Sequence, residues 1–200
     1  MITPETTALI LLAAGKSRRF GLSDKLTEPF LGQPLGMHVV TALEAVPFAR
    51  RIVVQDGVKL DYAARGYEVV HNAHSEQGLS LSVRLGVQAA RRDDVEAVLI
   101  ALADMPRITA THIHRLFDAQ HGPDTVVASS DRVSPKPPAL FGPAHYDALE
   151  AMQGDYGARD LILRGRHVVA NPDELVDVDT EEELAELRAK FDRYSSSRIT

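Results

Sequence analysis

The stretch LLAAGKSRRFG, residues 11 to 21, and the Lys25 that follows it place four cations within ten positions, just after a small-residue turn. Ala13, Ala14 and Gly15 let a backbone come close to a ligand, and Lys16, Arg18, Arg19 and Lys25 together can offset a polyphosphate. The letters Gly15-Lys16-Ser17 invite a P-loop reading, but that loop needs a further glycine five residues before Gly15. Ile10 stands there, so the amides cannot wrap a phosphate in that way. A phosphate-holding turn of another kind remains, against the plainer alternative of a solvated basic turn after a core strand.

Carboxylates supply the second half of the chemistry. ALADMP at 101 to 106 reads as a buried strand that ends in Asp104, and open α/β sheets bind their ligands beyond the carboxyl ends of the strands. Strand alternation in VDVDT, 176 to 180, sends Asp177 and Asp179 to one face just before a helix. Asp104 with one of these two could hold Mg²⁺, a hard cation that prefers oxygen ligands and bridges phosphates. The plainer readings are a turn-forming Asp104 and an acidic residue at a helix N-terminus. The histidines form no comparable set: His71 with His74 and His112 with His114 give no metal motif, and the chain has no Cys.

These residues must be positioned by a core, and 200 residues at 44 % hydrophobic and 25 % charged can build one domain. Apolar runs at 8–15, 51–55, 68–72, 96–104 and 125–130 lack polar alternation and predict strands buried on both faces. Helical spacing fills the intervals, around Met37 to Val46, Leu81 to Ala89 and Ile113 to Phe117. The alternation predicts a single-domain, three-layer α/β/α Rossmann-like fold with a mostly parallel sheet. After residue 131 a proline-rich loop leads to a short strand near 139–141, helices near 144–152 and 157–164, and strand-like HVVAN and LVDVD. Thr180 and Glu183 have capping-box spacing and open the last helix. The domain is expected over 1–192, with 193–200 as a frayed tail.

Several function classes are disfavoured. A net charge of −6 opposes general nucleic-acid binding, which depends on surplus Lys and Arg. No apolar run approaches the roughly 18 residues of a membrane span, and no signal-peptide pattern opens the chain. Zero cysteines exclude disulfides and thiolate chemistry and suit a cytoplasmic setting. A serine hydrolase lacks its Gly-x-Ser-x-Gly elbow.

Taken in order, LAAGKSRRFG, Lys25, QGLSLSVRLG at 77–86, Asp104-Met105-Pro106, GDYGAR at 154–159 and Asp177-Val178-Asp179-Thr180 resemble the MobA-like NTP transferases. They are most similar to the cytidylyl-transferring branch that matures the molybdenum cofactor. The resemblance spans about residues 8 to 190 and implies a nucleotidyltransferase fold of the GT-A-like type. It implies that Leu12, Ala13, Ala14 and Gly15 contact the nucleotide, with Arg19 and Lys25 on its phosphates. Gly78, Ser80 and Ser82 would lie near base and ribose. Asp104 would bind Mg²⁺, and Asp179 is favoured over Asp177 as second ligand because it stands five residues before Leu184. Gly154, Asp155, Gly157 and Arg159 would face the acceptor.

The implied reaction is CMP transfer from CTP to the phosphate of molybdenum-molybdopterin, whose product passes to a recipient molybdoenzyme. Ala14 stands where guanylyl-transferring relatives carry a second glycine, and its methyl group disfavours a larger purine. Arg19, Lys25 and Asp104 are the expected catalytic residues. SPKPPALF departs from the usual Gly-x-Pro opening of the acceptor-side strand, so the acceptor is less well specified than the nucleotide. A GTP- or sugar-phosphate-using transferase, and a cofactor carrier with little turnover, stay open.

Overall fold

The computed structural model describes residues 1–15, 20, 24–57, 60–91, 95–154 and 158–196, the last five as backbone only. Its centre is β1, Thr7–Ala13, in which every residue is buried. Alternation along β1 feeds two separate cores. Leu9 and Leu11 pack with Val40, Leu43, Ile113 and Leu116 on one side of the sheet. Ala8, Ile10 and Leu12 pack with Val83, Val87, Leu149 and Ile162 on the other. Continuous apolar sequence is what a strand covered on both faces requires.

The chain then makes a small hairpin, β2 (Pro29–Phe30) with β3 (Gln33–Pro34), and the short helix α1, His38–Ala42. β4 (Arg50–Gln55), β5 (Glu68–His71), helix α2 (Leu79–Ala90) and β6 (Ala97–Leu102) follow. Next come α3 (Ala110–Asp118), β7 (Val126–Ser130), β8 (Pro135–Phe141), α4 (Tyr146–Glu150), α5 (Arg159–Arg164), β9 (Arg166–Val169) and α6 (Glu181–Ser196). Seven strands form one sheet in the order β5-β4-β1-β6-β8-β7-β9. β8 alone runs against its neighbours, β6 and β7. The expected α/β/α architecture with a mostly parallel sheet is therefore the one observed.

α2 packs directly on β1. A Cβ at Gly86 would stand 2.5 Å from Ile10 Cγ2 and 3.2 Å from Val54 Cγ2, so glycine is what lets this helix approach the sheet. A third cluster joins the hairpin to α6 through Phe20, Phe30, Val178, Leu184 and Leu187.

Three expectations are corrected. LVDVD belongs to no ladder: Leu175 ends a 3₁₀ turn and Val176 to Asp179 run without strand pairing. β8 begins at Pro135, earlier than its prolines implied, because that half pairs only with β7 and its pairing with β6 starts at Ala139. α6 continues to Ser196, through the first half of the stretch read as a tail, since a capped helix propagates at little cost where no Gly or Pro interrupts it. Among the described residues no helix is long and apolar enough to cross a membrane.

Candidate active site

The ends of β1 and β6 are fastened together, with Ala103 N–H donating to Leu12 O at 3.0 Å. This puts Ala13, Ala14 and Gly15 beside Asp104. Lys25 opens a 3₁₀ turn, Lys25–Thr27, capped by Asp24, whose Oδ1 accepts from Leu26 N–H at 3.0 Å. Buried Leu26 anchors the turn, and the lysine stem points to the sheet edge. There Lys25 Nζ donates to Asp104 Oδ2 at 2.7 Å and to Asp179 Oδ1 at 2.9 Å. One ammonium thus joins two carboxylates that lie 79 and 154 residues from it in sequence.

Asp179 is placed by backbone bonds. Val178 N–H donates to Asp104 O at 3.0 Å, with the Val178 side chain fully buried. The predicted capping box is present: Glu183 N–H donates to Thr180 Oγ1 at 3.1 Å, and Thr180 N–H to Glu183 Oε2 at 2.9 Å. The same Glu183 oxygen accepts Asp179 N–H at 2.7 Å. Asp177 instead lies toward Lys136, with 3.9 Å between Oδ1 and Nζ. Asp179, not Asp177, is the carboxylate that shares a cation with Asp104.

Burial opposes the charge on Lys25, yet the two carboxylates outweigh it and raise its pKa, so it stays an ammonium. Burial pushes the Asp104 carboxyl up, as does repulsion from Asp177 and Asp179, while Lys25 pulls it down. Asp104 Oδ1 is buried and has no hydrogen-bond partner among the described residues. An unpaired buried carboxylate oxygen is costly and is a donor in waiting for a cation. Ala13, Ala14, Gly15, Lys25 and Asp104 border a cleft of about 90 Å³. Among the described residues no cluster of three or more His, Asp or Glu is drawn together for a metal.

The start of α2 lies against Gly154. Gly78 has φ +97°, which favours glycine, and Ser80 N–H donates to Gly154 O at 3.1 Å. Ser80 and Ser82 are each 1 % exposed. Ser82 Oγ accepts from Asn72 Nδ2 at 2.9 Å, and Asn72 Oδ1 accepts His74 N–H at 3.0 Å. Ser82 therefore braces the helix from within, and its hydroxyl is directed at Asn72, a residue the sequence reading passed over. Arg159 lines an apolar hollow of about 270 Å³ that shares Leu12 with the cleft beside Asp104. Arg19, Asp155 and Gly157 lie outside the described residues.

A family model described as the MobA-like NTP transferase domain matches residues 9–170. The chain belongs to the MobA-like NTP transferase family. It is accordingly a nucleotidyltransferase by family. Purine catabolism protein PucB of Bacillus subtilis is 30 % identical over 197 residues, covering 90 % of this chain and 94 % of that protein. A molybdenum cofactor guanylyltransferase of Cereibacter sphaeroides is 28 % identical over 182 residues, covering 88 % and 92 %. The solved Rv0371c homolog from Mycobacterium sp. strain JC1 shares the fold at TM-score 0.76 and 24 % identity, covering 95 % of this chain and 98 % of that one.

Asp131 and Lys136, which sequence spacing did not single out, lie on the Asp177 side of the site. Lys136, at the start of β8, forms an ion pair with Asp131 Oδ2 at 3.2 Å. Asp131 Oδ1 accepts the Val133 and Ser134 N–H groups, each at 2.9 Å. The signal was Asp131 three residues ahead of Ser134, a pattern in which an Asp side chain closes its own turn.

Proposed function

We propose that this protein transfers CMP from CTP to the phosphate of molybdenum-molybdopterin, releasing pyrophosphate. The observation that carries the reading is the Lys25 ammonium held between Asp104 and Asp179 beside the Ala13–Gly15 turn. Relatives named molybdenum cofactor guanylyltransferase support the acceptor. Ala14 supports cytidine over a larger purine, through the bulk of its methyl group beside the turn.

The acceptor phosphate is already an anionic nucleophile at neutral pH, so no general base is needed. Its oxygen forms the bond to the α-phosphorus as the bond to the β-bridging oxygen breaks and pyrophosphate leaves. The protein must therefore bring two polyanions together and hold them in line. Lys25 contributes a fixed positive charge, and the small side chains of Ala13, Ala14 and Gly15 allow phosphates to approach the backbone. Arg19 is assigned to the same phosphates from its place in the motif. The all-oxygen donor set and the unpartnered Asp104 Oδ1 fit Mg²⁺, which Asp104 and Asp179 would hold. When bound, that ion would neutralise phosphate charge. A molybdoenzyme would then take up the product.

A second reading replaces CTP with GTP, because the cofactor-maturing relatives are named as guanylyltransferases. Purified protein with Mg²⁺, molybdenum cofactor and each of CTP, GTP, ATP and UTP separates the two by pyrophosphate release and product mass. A CTP-selective cytosine dinucleotide is expected. A guanine dinucleotide, or tight cofactor binding without turnover, overturns the CMP-transfer reading in favour of the second reading or of a carrier.

A further inference from the structure

We infer that the Lys25 ammonium stands in the cation position of the Asp104 and Asp179 pair, so that this lysine and a divalent ion exclude one another and the ion enters only as Lys25 turns away. The inference rests on the reading in which those two carboxylates hold a divalent cation, and it adds an exchange of cations to it.

Geometry makes the two cations alternatives. Lys25 Nζ lies 2.7 Å from Asp104 Oδ2 and 2.9 Å from Asp179 Oδ1, so one nitrogen occupies the point on which both oxygens converge. Mg²⁺ takes its oxygen ligands at about 2.1 Å, and an ion ligated by the same two oxygens leaves no place for the ammonium. Charge favours the exchange, because one ammonium compensates one carboxylate and a divalent ion compensates both. While Lys25 holds Oδ2 of Asp104, Oδ1 stays buried without a partner among the described residues. The lysine is thus an incomplete match for the pair.

The turn that carries Lys25 lets the side chain leave by itself. Its backbone is fixed by the Asp24 cap on Leu26 N–H and by buried Leu26, whereas the lysine side chain is a flexible four-carbon stem. Lys25 and Asp104 both border the small cleft lined by Ala13, Ala14 and Gly15, so rotation about the stem can carry the ammonium into it with the backbone in place. A polyphosphate in that cleft gives the displaced ammonium a new anionic partner, which couples its entry to that of the ion. In the free protein an ion must break the Lys25 pair without that compensation. A lysine whose task was only to draw the carboxylates together would have the opposite effect: its removal would let them part and weaken the hold on an ion.

The test uses Mn²⁺, which shares the preference for oxygen ligands, with free Mn²⁺ counted by electron paramagnetic resonance and no nucleotide present. The full chain is compared with Lys25→Met, Asp104→Asn and the variant carrying both changes. Lys25→Met is expected to bind Mn²⁺ about tenfold more tightly than wild type, a coupling of ordinary size between exclusive ligands, and the added Asp104→Asn to abolish that gain. Unchanged or weaker binding in Lys25→Met that still depends on Asp104 overturns this inference and leaves the metal reading standing. Absence of any Asp104-dependent Mn²⁺ binding, with Lys25 or with Met in its place, removes the metal reading and this inference with it.

A second measurement keeps the lysine and so does not depend on whether Lys25→Met folds. Acetic anhydride labelling of wild type is followed by mass spectrometry with and without Mg²⁺, and Lys190, paired with Asp173 away from the two carboxylates, serves as the reference. Mg²⁺ is expected to speed labelling of Lys25 several-fold relative to Lys190, and to do so no longer in Asp104→Asn. Labelling that Mg²⁺ slows or leaves unchanged overturns the inference.

Discussion

Val178 gives its backbone N–H to the backbone carbonyl of Asp104, and that single 3.0 Å bond brings two distant segments to one point. The carboxylates on either side of it, Asp104 and Asp179, then meet on the Lys25 ammonium. The backbone bond fixes where the side chains start, and the lysine fixes where they end.

Asp104→Asn preserves shape and removes charge. If Asp104 stabilises developing charge rather than a ground-state contact, as proposed, turnover should fall at least about a hundredfold while nucleotide affinity changes only a few-fold. Steady-state kinetics beside direct CTP titration check this, and equal losses in both count against the assigned role.

Lys25→Met leaves Asp104 and Asp179 facing each other without their cation. The Asp179 side chain is 42 % exposed, so solvent screens part of the repulsion, and about 1–3 kcal/mol of destabilisation is expected, below the range of a fully buried pair. Burial already raises the Asp104 pKa, and losing Lys25 raises it further. An acid whose folded pKa is raised loses stability as pH rises through that pKa, so the defect should be larger at neutral than at mildly acidic pH. Urea melts at several pH values decide the matter.

Glu183→Ala breaks the cap that accepts from both Asp179 and Thr180 N–H groups. A stability cost of about 1 kcal/mol is expected from the lost cap. Turnover should fall further than that cost explains, because Asp179 loses a restraint on its backbone. A variant that is destabilised yet fully active would separate the cap from the site.

Gly86→Ala sets two effects against each other. Helix propensity favours alanine by about 1 kcal/mol, while overpacking a dense core costs about 1–3 kcal/mol. Ile10 is fully buried in the central strand and its methyl would lie 2.5 Å away, so overpacking should win. A lower urea midpoint with an unchanged slope is the expected result.

Asp131→Asn should alter the acid limb of unfolding. The wild-type carboxyl is held at about 2, first by the Ser134 N–H, then by Val133 and Lys136, against a usual value near 3.8. A depressed acid stabilises the fold above its unfolded pKa and ceases to as pH falls through the folded one. The gap between wild type and variant should be full above about pH 4 and close toward pH 2.

The parallel half of the sheet was legible in the sequence because its strands are buried on both faces and read as unbroken apolar runs. LVDVD looked similar but is extended chain, and alternation cannot distinguish a strand from a segment with one partner bond. The prolines at 135, 137 and 138 hid the first half of β8, since ladder pairing on only one side tolerates missing donors. Asp104, Asp179 and Lys25 were each legible by type and position. Their meeting was not, because it depends on contacts across 79 and 154 residues. Lys136 escaped notice for a related reason: Asp131 is near it in sequence, but Asp177, which stands 3.9 Å from its ammonium, comes from the segment before α6.

β8 is the one reversed strand of the sheet, and reversal has a consequence for how such a protein can diversify. Parallel strands deliver their final residues to the edge where β1 and β6 end, so changes there disturb the segments that also carry Ala13 to Gly15 and Asp104. A reversed strand delivers its first residues to that edge, through the 131–135 turn that lies outside those segments. Substitutions in that turn can therefore alter this edge of the sheet without displacing Ala13 to Gly15 or Asp104.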